Sequence, residues 1–576
     1  MHGRLTRDMD NLTMSMVIRS PTSPITRNQV CEAVSCQIVD DNGLIASRDL
    51  DKASVASAEF DSVERYPPPK CSSGTRVDVM RKISGWFAND RSHPVYWLTG
   101  MAGSGKSAIA QSIAELYAGQ GKLAASFFFS RTKAGRNSTH KFFPTIARQL
   151  TVSIPLLKPL IHDAVLNDSH IFHKTYDTQF QKLIMNPLLG LKDPLPLTMG
   201  IVIDALDESE DGDLACEIVS LLVKASLPFR IFITSRPEPY ILAMFCDPET
   251  SSLTTPLSLL DFDAGPDIRL FLQRGFADIF NRHPIGRRLP IPWPSDDELR
   301  SLVEMSSGLF IFASTVLKFV EGRKGNPKQR LKAVLDKNPG SSPQTPYAGL
   351  DQLYYQVYTS SLEAAGDDIK PSLHLIVRTI VLLLDPLPID ELECLLQLPS
   401  GDATVALQGL HSVIVVPDEQ HLPVRVFHAS LRDFLMDPHR ANDQSIDIPM
   451  HHASITHFCL ALMTSELKRD LRDKEDPWML KSQRGKPIYL TWGEGSGGLK
   501  YACRTWATHL AQSHPSSELV SDLKMFTRKS ILYWIEALSL LGELDIAIPS
   551  LQRASDWLEV SFFQCLCSHL YDLLFH

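Results

Sequence analysis

The sequence predicts an α/β fold: a parallel sheet with helices on both faces, followed by largely helical units. Three observations predict it. From Gly74 onward, short apolar runs alternate with amphipathic stretches, the pattern of strands buried on both faces and covered by helices. A glycine-rich loop, Gly100 to Ser107, separates an apolar run from a helical one. Two later apolar runs, Met199 to Ile203 and Arg230 to Thr234, end in polar residues, as central parallel strands do where their C-terminal tips carry chemistry.

Taken in order, residues 1–70 mix polar residues with a few Val and Ile, show no sustained period and end in Pro67-Pro68-Pro69. They are expected to form a disordered or weakly structured leader, with two weak β-like runs at Gln37 to Val39 and Leu44 to Ile45. Residues 71–250 carry the sheet. Val77 to Phe87 is an amphipathic helix, Val95 to Leu98 a strand, Lys106 to Ala118 a helix and Ala124 to Phe129 a second strand. After about Ser252 the strands are expected largely to stop. Asp267 to Phe280, Ser295 to Met305 and Gly308 to Val320 then read as capped helices of a helical domain over 251–340.

Within 341–440, helices at Leu373 to Leu384, Asp390 to Leu396 and Val405 to Leu410 precede two short strands, Val413 to Val416 and Val424 to Phe427, around Asp418-Glu419-Gln420. That order suggests a winged-helix domain. Residues 441–576 are helical again, with Trp478, Trp492, Trp506, Trp534 and Trp557 spaced as core residues. No fixed repeat is found.

Composition narrows the functional classes. With 576 residues the chain holds roughly three to five domains, and 44 % hydrophobic against 21 % charged residues is ordinary globular usage. The net charge of -9 provides no overall positive field, so nucleic-acid binding is not expected. The ten cysteines form no CxxC pair, which suits a reduced protein of the cytoplasm. No apolar run of signal-peptide length opens the chain, and the stretch around Leu373 to Leu384 is interrupted by His374 and Arg378. It falls short of the roughly 20 apolar residues of a membrane span, so no membrane partner is expected.

Gly100-Met101-Ala102-Gly103-Ser104-Gly105-Lys106-Ser107, with Ala108 behind it, fits the P-loop pattern between a strand and a helix. Its glycines let backbone N–H groups turn toward phosphate oxygens, and the helix N-terminus adds positive potential. Lys106 would reach the β- and γ-phosphates of ATP or ADP, and the Ser107 hydroxyl would ligate Mg²⁺. Asp204 closes the run Ile201-Val202-Ile203-Asp204 and would hold Mg²⁺ through water, while Asp207 or Glu208 would polarise an attacking water. Arg236, in Thr234-Ser235-Arg236-Pro237 at the next strand tip, is placed to sense the γ-phosphate. An incidental glycine turn, a solvated acidic loop and a surface arginine are the plain alternatives, and the ordered occurrence of all three motifs speaks against them.

These residues resemble the NACHT module of STAND-class signalling NTPases, in the nephrocystin-3-like N-terminal form abundant in fungal NOD-like-receptor-type proteins. Gly74-Thr75-Arg76, Trp97 to Gly100, Phe127-Phe128-Phe129-Ser130-Arg131, Asp204 to Glu208 and Thr234 to Pro239 carry the resemblance, and Ser306 to Ala313 looks like the family's helical-domain signature. It extends over roughly 71–560 through Phe427-His428-Ala429-Ser430-Leu431-Arg432-Asp433-Phe434-Leu435, and implies that His428 touches the β-phosphate of ADP. Phe310 departs from the pattern, standing where many relatives have proline near the base. No effector domain is recognised before the module and no sensor repeats after it.

The expectation is a nucleotide-dependent signal-transduction switch with ADP-closed and ATP-open states, weak ATP hydrolysis, protein partners and nucleotide-dependent homo-oligomers. A non-hydrolysing, nucleotide-filled interaction scaffold or a truncated family member stands beside it as the alternative.

Overall fold

The computed structural model describes residues 43–559, apart from 90–92, 132, 134, 169, 194, 196–197, 226, 284–290, 323–325, 336–346, 367–368, 418 and 468–496. Both Trp478 and Trp492, like Gln37 to Val39, lie outside the described residues.

Five strands form one sheet: β1 (Val95–Thr99), β2 (Leu123–Phe128), β3 (Met199–Asp204), β4 (Phe229–Ser235) and β5 (Thr254–Ser258). Their order is β2-β3-β4-β1-β5, and every neighbouring pair is parallel. Alternate residues of a strand face opposite sides, and two cores follow from that. Trp97, Phe127, Ile201, Ile203, Ile231 and Ile233 pack into one, while Tyr96, Leu98, Phe128, Val202 and Phe232 pack into the other. Strands β3 and β4 are buried along their whole length, which is why they read as unbroken apolar runs.

Strand β5 corrects the expectation that the strands of the sheet lie before about Ser252. It sits at the sheet edge beside β1, with Pro256 opposite Trp97. A proline costs no ladder bond at an edge, and the polar Thr-Thr-Pro-Leu-Ser run hides the strand from any periodicity test.

The described part of the leader, from residue 43, is also more ordered than expected. Residues 43–53 form a helix that takes in Leu44 and Ile45, followed by short helical turns at Ala56–Ala58 and Val63–Arg65. Ala46, Leu50, Val55 and Ala58 are buried in the same core as β2 and helix Phe142–Ser153. The Val55 N–H donates to Thr145 Oγ1 at 2.9 Å, and Arg148 Nε pairs with Asp51 Oδ1 at 2.9 Å.

Beyond the sheet the chain is helical. Helices Gly265–Arg282, Asp296–Ser306 and Phe310–Glu321 come first, the second opened by a capping box between Ser295 and Glu298. Helices Ala348–Ala364, Lys370–Leu382, Ile389–Leu396 and Asp402–Leu407 then lead to an antiparallel ribbon, β6 (Ile414–Val415) and β7 (Arg425–Val426), and to helix Ala429–Leu435. Residues 348–441 make up this helix–ribbon unit. Helices Ile448–Glu466, Gly497–Ala511, Ser517–Lys529 and Ile531–Leu541 complete the chain's described part with residues 547–559. One contiguous apolar cluster runs from Ala264 to Trp557 and includes Trp506 and Trp534, so the helical units share a core.

Candidate nucleotide site

The loop Gly100 to Gly105 leaves the C-terminal end of β1 and feeds helix Lys106–Gly119. Gly103 and Gly105 adopt φ of 77° and 97°, left-handed values that favour glycine. Lys106 is only 8 % exposed. Its Nζ donates to the carbonyls of Gly100 at 2.7 Å and Met101 at 3.0 Å. Burial lowers its pKa, while the carboxylates of Asp207, Asp204 and Glu208 pull the other way. A buried ammonium at a helix N-terminus, curled onto its own loop, suits a polyphosphate.

The three strand tips named in the sequence meet here, with β4 between β3 and β1. Asp204 is buried, accepts from Thr234 Oγ1 at 2.6 Å and is bonded to the Ser107 hydroxyl. Burial raises its pKa, against the lowering effects of the Thr234 hydroxyl and the Arg65 charge. Ser107 and Asp204 thus place two hard oxygen donors together, as a Mg²⁺ site that keeps most of its waters requires. Among the described residues no group of three or more His, Cys, Asp or Glu could hold a metal ion.

Past Asp204 the chain turns through Ala205, a non-glycine residue at φ 56°, into the 3-10 turn Leu206–Glu208. Both following carboxylates, Asp207 and Glu208, lie in this turn. Asp207 is committed to Arg236: it accepts from the Arg236 N–H at 2.9 Å and from Nε at 3.1 Å. Glu208 accepts a longer bond from the Arg131 N–H, at 3.3 Å, and burial together with Asp207 raises its pKa to about 7. Of the two carboxylates proposed from sequence, Glu208 has the character of a general base.

Arg236 does not hang free at its strand tip. Its Nη1 lies 2.8 Å from Asp433 Oδ2 in helix Ala429–Leu435. Burial alone would lower its pKa, but Asp433 and Asp207 hold it above the ordinary value. The arginine therefore joins the sheet to the helix–ribbon unit.

His428 caps the same helix. Its Nδ1 accepts from the Ser430 N–H at 3.1 Å, which leaves the proton of the neutral ring on Nε2. Ser430 Oγ lies 2.8 Å from that Nδ1 and 2.8 Å from the Tyr354 hydroxyl. Burial, then Arg236 and Lys106, lower the His428 pKa to about 4. The ring Cε1 is 3.9 Å from where a Cβ on Gly103 would sit, so the histidine borders the P-loop.

Three neighbours escaped the sequence reading as site residues. Arg76, 4 % exposed with φ 57°, donates from its backbone to Asp267 Oδ2 at 3.0 Å and from Nη2 to the Ser104 carbonyl at 2.8 Å. Its Nε and Nη1 are buried without a partner among the described residues, and its guanidinium lies 4.9 Å over the Phe310 ring. The motif Gly74-Thr75-Arg76 marked the place without assigning a role. Tyr347 accepts from the Ala102 N–H at 3.2 Å, and Ile311 donates from its backbone to the Gly103 carbonyl at 3.2 Å. Nothing local in the sequence signals either contact.

Residues 75–236 match the family described as Nephrocystin 3, N-terminal. Among curated proteins, the vegetative incompatibility protein HET-E-1 of Podospora anserina is 23 % identical over 512 residues, which cover 81 % of this chain and 35 % of that protein. The chain thus spans about a third of the length of the relative it matches. Taken with the P-loop geometry and the five-stranded parallel sheet, these likenesses support a protein similar to the NACHT/STAND NTPases.

Proposed function

We propose that the chain is an ATP/ADP-binding signal-transduction switch, closed with ADP, opened by ATP and reset by slow hydrolysis. The observation that supports it best is Arg236 shared between Asp207 of the sheet and Asp433 of the helix–ribbon unit. A group at the nucleotide site is thereby tied to the position of another domain, the requirement for a ligand to act through differential affinity.

In this reading the backbone N–H groups of the loop and Lys106 hold the phosphates, with Ser107 and Asp204 holding Mg²⁺. Bound there, Mg²⁺ would neutralise phosphate charge. Glu208 takes a proton from water, Asp207 fixes Arg236, and the Nε2–H of His428 donates to the β-phosphate of ADP in the closed state. The helix–ribbon unit, with helices followed by a two-stranded ribbon, is read as the winged helix. Its departure on ATP binding would expose surface for protein partners or a second copy. No helix among the described residues is long and apolar enough to cross a membrane, and the described cysteines are free, which supports a cytoplasmic site of action.

A second reading, a nucleotide-filled scaffold without turnover, is favoured by one observation. The loop is held by other parts of the chain through Ile311 and Tyr347. Mass spectrometry of nucleotide released from natively purified protein tests the first reading, with bound ADP expected. A chain that carries no nucleotide and takes up neither ADP nor ATP in calorimetry overturns both, and single-turnover hydrolysis separates them.

A further inference from the structure

The tripeptide Glu64-Arg65-Tyr66, upstream of the matched module, is gripped from two sides by two domains. On the side of the helix–ribbon unit, Arg425 in β7 donates from Nη1 to the Glu64 carbonyl at 2.9 Å and from Nη2 to the Tyr66 carbonyl at 3.1 Å. On the side of the sheet, the intervening Arg65 is buried. Its Nη2 donates to Gln111 Oε1 at 2.8 Å, and its guanidinium lies 3.5 Å over the Phe128 ring.

Both of these partners belong to the nucleotide module. Gln111 lies on the helix that Lys106 begins, and Phe128 pairs in register with Asp204. The segment continues along the same surface. The Phe60 N–H donates to Ser126 Oγ at 3.0 Å, the Phe60 carbonyl accepts from Gln111 Nε2 at 3.0 Å, and Lys133 Nζ pairs with Glu64 at 2.8 Å.

Among the described residues Arg65 makes no ion pair with a carboxylate, and its Nε is buried without a partner. Burial, then the neighbouring Arg136, lower its pKa to about 9. A cation accepts such a place only where surrounding contacts hold it, and here the Arg425 clasp on the flanking carbonyls supplies part of that hold.

We propose that residues 54–66 form an interdomain strap, through which the position of the ribbon β6–β7 is coupled to the P-loop helix and to the chain upstream of residue 54. When the ribbon leaves, two hydrogen bonds from Arg425 break together and the strap loosens. When Arg65 is withdrawn, the ribbon loses its seat. The proposal goes beyond the nucleotide switch and holds whatever ligand the loop takes.

Hydrogen exchange on the full chain without added nucleotide tests it, in Arg425→Gln and Arg65→Met. In Arg425→Gln the amides of Val55 and Phe60 are expected to exchange about tenfold faster while those of β1, β3 and β4 keep their protection. In Arg65→Met the ribbon amides of Val424 and Phe427, bonded to Leu387 and Val413, are expected to speed up by a similar factor. Unchanged strap exchange in Arg425→Gln overturns the coupling, as does unchanged ribbon exchange in a folded Arg65→Met chain. Arg425 is a partly exposed ribbon residue, so its variant decides the question even if Arg65→Met does not fold. A failed nucleotide-binding assay would leave both exchange results intact.

Discussion

Lys106 is a buried cation whose direct hydrogen-bond partners, among the described residues, are two carbonyl oxygens of its own loop. Phosphate oxygens satisfy such a group better, because a bond between two charged groups replaces one to a neutral acceptor. Lys106→Ala is expected to cost about 2–5 kcal/mol of nucleotide binding, thirtyfold or more, and titration calorimetry with ADP and ATP measures it. Glu208 offers a different readout. With its pKa raised to about 7, the carboxylate able to accept a proton is scarce at pH 6 and abundant at pH 8. Single-turnover hydrolysis should therefore rise across that interval. Glu208→Gln should slow it about 100-fold and flatten the profile, and a rate that follows the wild-type curve in the variant would remove Glu208 from the mechanism.

Helices Ile448–Glu466 and Gly497–Ala511 meet over a buried chain of polar groups. His452 Nδ1 lies 2.7 Å from His509 Nδ1, His509 Nε2 lies 2.7 Å from the Tyr501 hydroxyl, and His451 Nε2 lies 3.1 Å from Thr379 Oγ1. Burial lowers the pKa of His451 and of His452 from 6.5 to about 4, with smaller contributions from Arg378 and Arg432 respectively. His509 is lowered further, again by burial first. The fold thus holds neutral imidazoles, so their stabilising contribution is complete above about pH 6.5 and is lost as the pH falls toward 4. The loss should reach up to ~3 kcal/mol per histidine by linkage. Urea unfolding at pH 7.5 and pH 5 reads this directly, and His451→Gln, which keeps a donor for Thr379, should reduce the difference. Equal wild-type stability at the two pH values would contradict it.

Over the whole molecule, the sheet and the helix–ribbon unit are joined beside the P-loop by Arg236–Asp433, and the His428 ring borders the loop there. Asp433→Asn keeps the shape of the side chain and removes its charge. Losing one charge-assisted contact between domains is worth about 1–3 kcal/mol, so ADP release should speed up about tenfold or more, and the radius of gyration in solution scattering should increase. His428→Leu should accelerate ADP release while leaving the chain folded, because the ring's bonds among the described residues reach only Ser430 and the loss of that helix cap costs only about 1 kcal/mol. Stopped-flow release of a fluorescent ADP distinguishes these variants from Lys106→Ala, whose defect lies in the weaker loading that calorimetry measures.

The sequence by itself determined the nucleotide module. Strand β1, the loop and the helix from Lys106 are consecutive, so apolar periodicity and glycine placement express them locally; Asp204 and Arg236 were legible because each ends an apolar run. Only the tertiary structure decided which groups those residues meet. Asp433, Arg425, Tyr347 and Ile311 reach the site and its strap from other units, and no local pattern encodes a partner that distant in the chain. For the same reason Arg76 was marked by its motif without a role, the leader passed as ordinary polar sequence, and β5 stayed hidden because an edge position tolerates Pro256. Short-range periodicity is written residue by residue, whereas contacts between domains exist only once the shared core from Ala264 to Trp557 has brought those units together.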